Sequence, residues 1–132
     1  MTDDNRQTNA HVELRSAKEA IRAASALMEI GTLRDAMSRA YYAAFHAARA
    51  LLLLHGVQAK THGGLVHLFN ERVVLGGQIE PRYNLLLTRL QAYRHASDYA
   101  YLFTMEAGDV ATEVEAAREF VERAEALIDK TS

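Results

Sequence analysis

The chain has 132 residues, of which 49% are hydrophobic, and its formal net charge is −2. This composition favours a folded globular protein and excludes intrinsic disorder. The charge excludes a strongly basic, histone-type nucleic-acid binder. However, residues 1–104 hold 12 basic and 9 acidic side chains, whereas residues 105–132 hold 3 and 8. The excess of basic side chains in residues 1–104 is therefore compatible with a local cationic groove.

The absence of cysteine excludes disulfides, thiol catalysis and zinc–thiolate sites. Apolar runs such as residues 50–54 are short, and a membrane-spanning helix needs about 18 or more apolar residues. The opening segment, MTDDNRQTNAH, contains no apolar stretch typical of a secretory signal. We therefore expect a cytoplasmic protein without a membrane partner.

Apolar residues recur at three- and four-residue steps, which is the period of amphipathic helices. The first series predicts a helix over residues 9–30 and consists of Leu14, Ala17, Ile21, Ala24 and Met28. Gly31 is suited to end this helix with a positive φ, and Thr32 with Asp35 resembles a capping box for the next one. The second helix, predicted over residues 32–55, is apolar on most sides, as in the buried centre of a bundle or a partner-binding surface.

Three further helices are predicted in the second half of the chain. The third is short, with Leu65, Leu68, Phe69 and Val73 as its apolar series, and it ends at Gly76 and Gly77. Pro81 fits the first turn of a fourth helix, which continues to about residue 99. Asp109 is a good N-cap for a fifth helix, whose apolar series is Val110, Val114, Ala117, Val121, Ala124 and Ile128. We predict one all-α domain over residues 1–132, an up-and-down four-helix bundle with an additional short helix.

Polar side chains of the second helix are collected along one face. Their spacing of four, three, four and three residues makes them neighbours on a helix: Asp35, Arg39, Tyr42, His46 and Arg49. On the fourth helix, Arg94 and Asp98 form a second stripe, close to Tyr99. If the stripes meet, within one chain or across a dimer, they form a polar seam. Three interpretations of this seam are open: surface ion pairs, a buried structural network and an RNA site. In an RNA site, arginine forks would bind phosphate and tyrosines would stack on unpaired bases.

The loop after the second helix carries another candidate for anion binding. In the segment KTHGG, Lys60 and His62 precede a helix N-terminus, where backbone N–H groups favour anions. The two glycines are equally explained by a turn. The histidines at 55, 62 and 67 lack the spacing and the neighbouring carboxylates of a metal site. We therefore predict neither a metal nor a cofactor.

Three segments, taken together and in this order, resemble the HEPN domain family of small prokaryotic helical proteins. They are SRAYYAAFHAARALLLLHG, KTHGGLVHLF and LQAYRHASDY, and the likeness covers roughly residues 10–130. The resemblance implies a helical bundle that forms a homodimer and is often encoded beside a minimal nucleotidyltransferase, as a toxin–antitoxin-like pair. It also implies that many members are metal-independent ribonucleases, whose arginine and histidine, separated by four to six residues, meet at the dimer interface.

The match to this ribonuclease motif is incomplete. Arg94 corresponds to its arginine, but Tyr99, preceded by Asp98, stands where the histidine is expected, and neither side chain shuttles protons at neutral pH as imidazole does. His95 points about 100° away from Arg94 around the helix, so His46 is an alternative source of an imidazole. The leading hypothesis is an RNA- or nucleotide-binding HEPN-type dimer. The alternatives are a metal-independent ribonuclease that uses Arg94 with His46 or His95, and a protein-interaction scaffold without catalysis.

Overall fold

The computed structural model describes residues 2–97 and 105–131. Within these residues the chain forms no β-strand, and its helices are α1 (Asp3–Glu29), α2 (Leu33–Leu54), α3 (His62–Phe69), a π-helical turn (Asn70–Val74), α4 (Arg82–Ser97) and α5 (Ala107–Thr131). The four long helices form an up-and-down bundle, and α3 is the additional short helix. The predicted all-α fold class is confirmed.

Helix α2 is the centre of the bundle, since it packs against α1, α3, α4 and α5. Most of its buried residues are alanines, namely Ala36, Ala40, Ala43, Ala44, Ala47, Ala48 and Ala50. Because the distance between packed helices depends on the side chains at the contact, these short side chains let neighbours approach α2 from several sides. The packing explains why α2 is apolar around most of its circumference.

Helix α1 begins earlier than predicted. Its N-cap is Thr2, whose hydroxyl accepts a hydrogen bond from the backbone N–H of Asn5 at 3.2 Å. Asp3 and Asp4 lie in the first turn, where the helix dipole favours negative charge. The capping hydrogen bond and the two carboxylates extend the helix through a segment that has no apolar period. Gly31 ends the turn after α1 with a φ of 80°, as its position predicted.

The starts of α2 and α5 differ from the predicted caps. Thr32 occupies the N-cap position of α2, but its side chain makes no capping hydrogen bond, so the proposed capping box with Asp35 is wrong. Helix α5 begins at Ala107, and Asp109 lies in its first turn instead of at its N-cap. The Asp109 carboxylate accepts a hydrogen bond from the backbone N–H of Glu106 at 3.5 Å.

The core is one continuous cluster of buried side chains to which every helix contributes. Phe120 of α5 stacks on Tyr83 of α4, with 4.9 Å between ring centroids, and meets Phe69 of α3 edge-on at 5.6 Å. These aromatic contacts join three helices around one point. None of the described helices has the length and apolarity that crossing a membrane requires.

Candidate nucleic-acid interface

The polar stripe of α2 and the end of α4 meet within one chain. Nη2 of Arg94 donates a hydrogen bond to the Tyr42 hydroxyl at 2.7 Å. The guanidinium carbon of Arg94 also lies 5.0 Å from the ring centroid of Tyr42 and 5.6 Å from that of Tyr41. Both distances are those of cation–π contacts. One arginine of α4 is thus held over two adjacent tyrosines of α2.

The Glu13 carboxylate of α1 contacts a histidine and an arginine of the polar stripe on α2. Oε2 of Glu13 lies 2.6 Å from Nδ1 of His46, and Oε1 lies 3.6 Å from Nε of Arg49. The hydrogen bond with His46 is the main cause that lowers the pKa of Glu13 below its ordinary value of 4.5, assisted by the charges of His46 and Arg49 and opposed by burial. The carboxylate orients the His46 ring through Nδ1, which leaves Nε2 as the nitrogen that can exchange a proton.

Glu13 is not among the residues that the sequence predicted for the site. The sequence gives one signal for Glu13, which is its place directly before Leu14 at the edge of the apolar face of α1. In the structure, only 18% of the Glu13 side chain is exposed. A carboxylate that is largely withdrawn from water needs a hydrogen-bonding or cationic partner. The sequence indicates this need but does not indicate which helix supplies the partner.

The loop after α2 folds back onto the aromatic residues of that helix. Nδ1 of His62 shares a hydrogen bond with the Tyr41 hydroxyl. The His62 imidazole is nearly parallel to the Tyr41 ring, with 8° between the planes and 5.5 Å between the centroids, and its centroid lies 4.8 Å from that of Phe45. Tyr41 is buried, whereas His62 is exposed. The sequence predicted His62 as a site residue but not that Tyr41 and Phe45 support it.

We call this connected set of side chains the Arg–aromatic cluster; it consists of Glu13, Tyr41, Tyr42, Phe45, His46, Arg49, His62 and Arg94. Two grooves border it. The first groove lies between α1 and α2 and is lined by Ser16, Glu19, Ala20, Ala23, Arg39, Tyr42 and His46. The second groove lies between α2 and the loop that follows it and is lined by Phe45, Arg49, Gln58, Ala59, Lys60, Thr61 and His62. The grooves bring two further predicted residues, Arg39 and Lys60, to the cluster.

His95 is the one remaining predicted site residue that the structure describes, and it is outside the Arg–aromatic cluster as defined above. His95 is exposed and follows Arg94 directly on α4, so the two side chains point about 100° apart around the helix. Asp98 and Tyr99 are outside the described residues. Of the two histidines considered for catalysis, His46 is therefore the one that belongs to the Arg–aromatic cluster.

An antiparallel all-α bundle, whose central helix carries a surface of arginine, tyrosine and histidine, defines a class of small helical proteins. The chain belongs to the HEPN domain family, whose model matches residues 10–131. This match confirms the resemblance drawn from the three sequence segments.

Relatives from archaea and bacteria share the sequence over most of its length. The chain is 37% identical over 114 residues to a Methanocaldococcus jannaschii protein named "Putative toxin MJ0605", covering 86% of this chain and 79% of that protein. It is 30% identical over 115 residues to a UPF0332 protein of Thermotoga maritima, covering 87% of each. Identity to UPF0332 protein PH1297 of Pyrococcus horikoshii is 42% over 82 residues, which is 62% of this chain and 56% of that protein.

Proposed function

We propose that this HEPN-family chain binds RNA or a nucleotide through the Arg–aromatic cluster. The observation that carries the proposal is the position of Arg94, which is hydrogen-bonded to Tyr42 while its guanidinium lies over the rings of Tyr41 and Tyr42. Arg49 and the exposed Lys60 add positive charge along the same side of α2. Cations and aromatic rings are thereby combined on one surface.

RNA presents two groups that such a surface recognises. Its phosphates match the planar fork of arginine, and its unpaired bases stack on aromatic rings and guanidinium planes. Because the net charge of the whole chain is −2, the attraction for RNA must come from the local surface. We therefore expect binding to weaken steeply with salt.

Fluorescence anisotropy with a labelled single-stranded RNA at low salt tests the proposal. Arg94→Ala and Arg49→Ala each remove one guanidinium from the cluster, and each is expected to raise the dissociation constant about tenfold, the effect of losing roughly 1.4 kcal/mol. Arg72→Ala is the matched control, because Arg72 is an exposed arginine that pairs with Glu71 away from the cluster. Equal binding by the wild type and both cluster variants, with helical circular dichroism retained, would contradict the proposal.

Metal-independent ribonuclease activity is the second candidate, and the Glu13–His46 contact favours it. In this reaction Nε2 of His46 would take the proton of an RNA 2′-hydroxyl as that oxygen attacks the adjacent phosphorus. The bond from phosphorus to the 5′ oxygen breaks, and that oxygen takes up a proton, which yields a 2′,3′-cyclic phosphate and a 5′-hydroxyl. An arginine, Arg49 or Arg94, would stabilise the additional negative charge on the phosphorane.

Incubation with RNA in the presence of EDTA, followed by mass spectrometry of the products, tests this second candidate. We expect His46→Ala to lower the cleavage rate by about a hundredfold and Glu13→Gln to lower it less, because the imidazole would remain. His95→Ala is expected to leave the rate unchanged. A loss of cleavage with His95→Ala alone would assign the imidazole to α4, and no cleavage by the wild type would reject the activity.

We also propose that the chain forms a homodimer and pairs with a minimal nucleotidyltransferase in a toxin–antitoxin-like system. The family resemblance supports this, as does the name of the Methanocaldococcus jannaschii relative. Light scattering of the isolated protein is expected to give the mass of a dimer. Coexpression with a nucleotidyltransferase encoded beside its gene is expected to give a complex of the two proteins. If that complex forms while the wild type binds no RNA, the chain is a protein-interaction scaffold.

A further inference from the structure

The two grooves beside the Arg–aromatic cluster differ in charge. The first groove is lined by the Glu19 carboxylate as well as the Arg39 guanidinium, and its His46 is already paired with Glu13. Of the described residues that line the second groove, none is acidic, and Arg49 and Lys60 are cationic. Glu13 approaches the second groove only through its contact with Arg49, whose Nε lies 3.6 Å from the carboxylate. An anion is therefore accommodated better in the second groove than in the first.

We propose that the second groove is a subsite for one unpaired nucleotide of single-stranded RNA. The phosphate lies between Arg49 and Lys60, and the base stacks on the exposed imidazole of His62. The inference rests on the proposed function and adds to it the ligand class and the position of one nucleotide.

The aromatic side of this subsite is held in place before any ligand arrives. His62 is fixed by its hydrogen bond to Tyr41 and by ring contacts with Tyr41 and Phe45. The loop is fixed as well, since the Thr61 hydroxyl accepts a hydrogen bond from the backbone N–H of Gly64 at 2.9 Å. A pre-ordered stacking surface binds a base without the entropy loss of ordering its own side chain.

The size and the cation geometry suit a nucleotide. The groove has a volume of about 520 Å³, within the roughly 300–1,000 Å³ of typical small-ligand sites. The Arg49 guanidinium carbon lies 5.9 Å from the Phe45 ring centroid, which places this cation beside the aromatic stack. A nucleotide needs this arrangement because its phosphate is covalently linked to the sugar that carries the base.

The test uses oligoadenylate that carries one 2-aminopurine, whose fluorescence is quenched on stacking. His62→Ala is expected to raise the dissociation constant about tenfold, as loss of one base–aromatic stack does, and to abolish the quenching produced by the protein. His62→Phe keeps a flat ring and is expected to restore both. His67→Ala is the matched control, since His67 is an exposed histidine of α3 that pairs with Glu71.

Lys60→Ala tests the phosphate side of the subsite. It is expected to weaken binding and to reduce the slope of log K against log salt concentration by about 0.7, the contribution of one phosphate contact to a single strand. Lys60 is exposed, so this variant tests the subsite even if His62→Ala fails to fold.

The results separate the two proposals. If Arg94→Ala weakens RNA binding but His62→Ala and Lys60→Ala leave affinity, quenching and salt slope unchanged, the subsite is refuted and the proposed function stands. If the wild type binds no RNA, the subsite is refuted, and if it binds no free nucleotide either, the proposed function is refuted as well. If His62→Phe fails to restore quenching while His62→Ala abolishes it, the base does not stack on this ring and the subsite as stated is wrong.

Discussion

Glu13 places a negative charge beside the polar stripe on α2. Without it, His46 and Arg49 would form a purely basic surface, as their spacing on the helix predicts. Instead, both side chains are oriented by one carboxylate of α1, at 2.6 Å and 3.6 Å. The negative charge of Glu13 therefore offsets part of the positive charge of this stripe, while His46 acquires the fixed orientation that proton transfer requires.

The lowered pKa of Glu13 predicts a pH dependence of stability. A carboxyl group with a lower pKa in the folded state stabilises the fold above its unfolded-state pKa, and this contribution is lost as the pH falls through the folded-state value. Urea unfolding of the wild type and Glu13→Gln should therefore differ most above the ordinary pKa of 4.5 and converge in more acidic solution. Glu19→Gln, which removes an exposed carboxylate of the same helix, is the control. A stability difference that persists unchanged in acid would contradict the assignment.

At the scale of elements, a bidentate ion pair joins α4 to α5. Nε and Nη2 of Arg89 donate to the two carboxylate oxygens of Glu113 at 2.9 Å and 3.0 Å. The hydrogen bond with Glu113 raises the pKa of Arg89 above its ordinary value. Arg89 is thus held against α5, whereas Arg94, further along the same helix, contacts Tyr42 of the Arg–aromatic cluster.

The two halves of this ion pair are expected to respond unequally to substitution. Only 9% of the Glu113 side chain is exposed, against 46% of the Arg89 side chain. Arg89→Met leaves a carboxylate withdrawn from water and should lower the free energy of unfolding by about 2–3 kcal/mol, whereas Glu113→Gln leaves a guanidinium that water reaches and should cost about 1 kcal/mol. Arg72→Met, at an exposed pair, is the control, with an expected change below about 1 kcal/mol. Equal losses at Arg89 and Glu113 would contradict this account.

At the scale of the whole molecule, α2 serves two purposes. Its alanine-rich sides bring α1, α3, α4 and α5 together, and its remaining face carries the polar stripe. The geometry of the candidate site is therefore coupled to the packing of the entire bundle. The acidic residues of α5 lie outside the Arg–aromatic cluster, so the negative net charge of the chain does not describe the charge of that surface.

Enlarging an alanine at the centre of α2 is expected to destabilise the whole bundle. Ala44 is completely buried, and Ala44→Leu adds a branched side chain where helices are in close contact. Thermal or urea unfolding should show a loss of about 1–3 kcal/mol. Ala26→Leu, at an exposed position of α1, adds the same volume in open space and is expected to have little effect. A loss at Ala44 no larger than at Ala26 would show that the bundle is looser than its packing indicates.

Most of the fold could be predicted because helical periodicity is a local property. The apolar steps that begin at Leu14 identified α1, and Gly31 marked its end. The additional turns at the start of α1 were missed since the segment around Asp3 and Asp4 is polar on every side and gives no period. The π-helical turn Asn70–Val74 was also missed, because one widened turn leaves the apolar spacing almost unchanged.

Helical periodicity and three short segments are sufficient to predict the class of fold, the family and the residue types along one face of α2. The assembly of the site depends on contacts between helices. Glu13 and His46 are 33 positions apart, Tyr41 and His62 are 21 apart, and Tyr42 and Arg94 are 52 apart. The physical reason is that periodicity places side chains around a single helix, whereas contacts between helices depend on how those helices cross and on the loops that connect them.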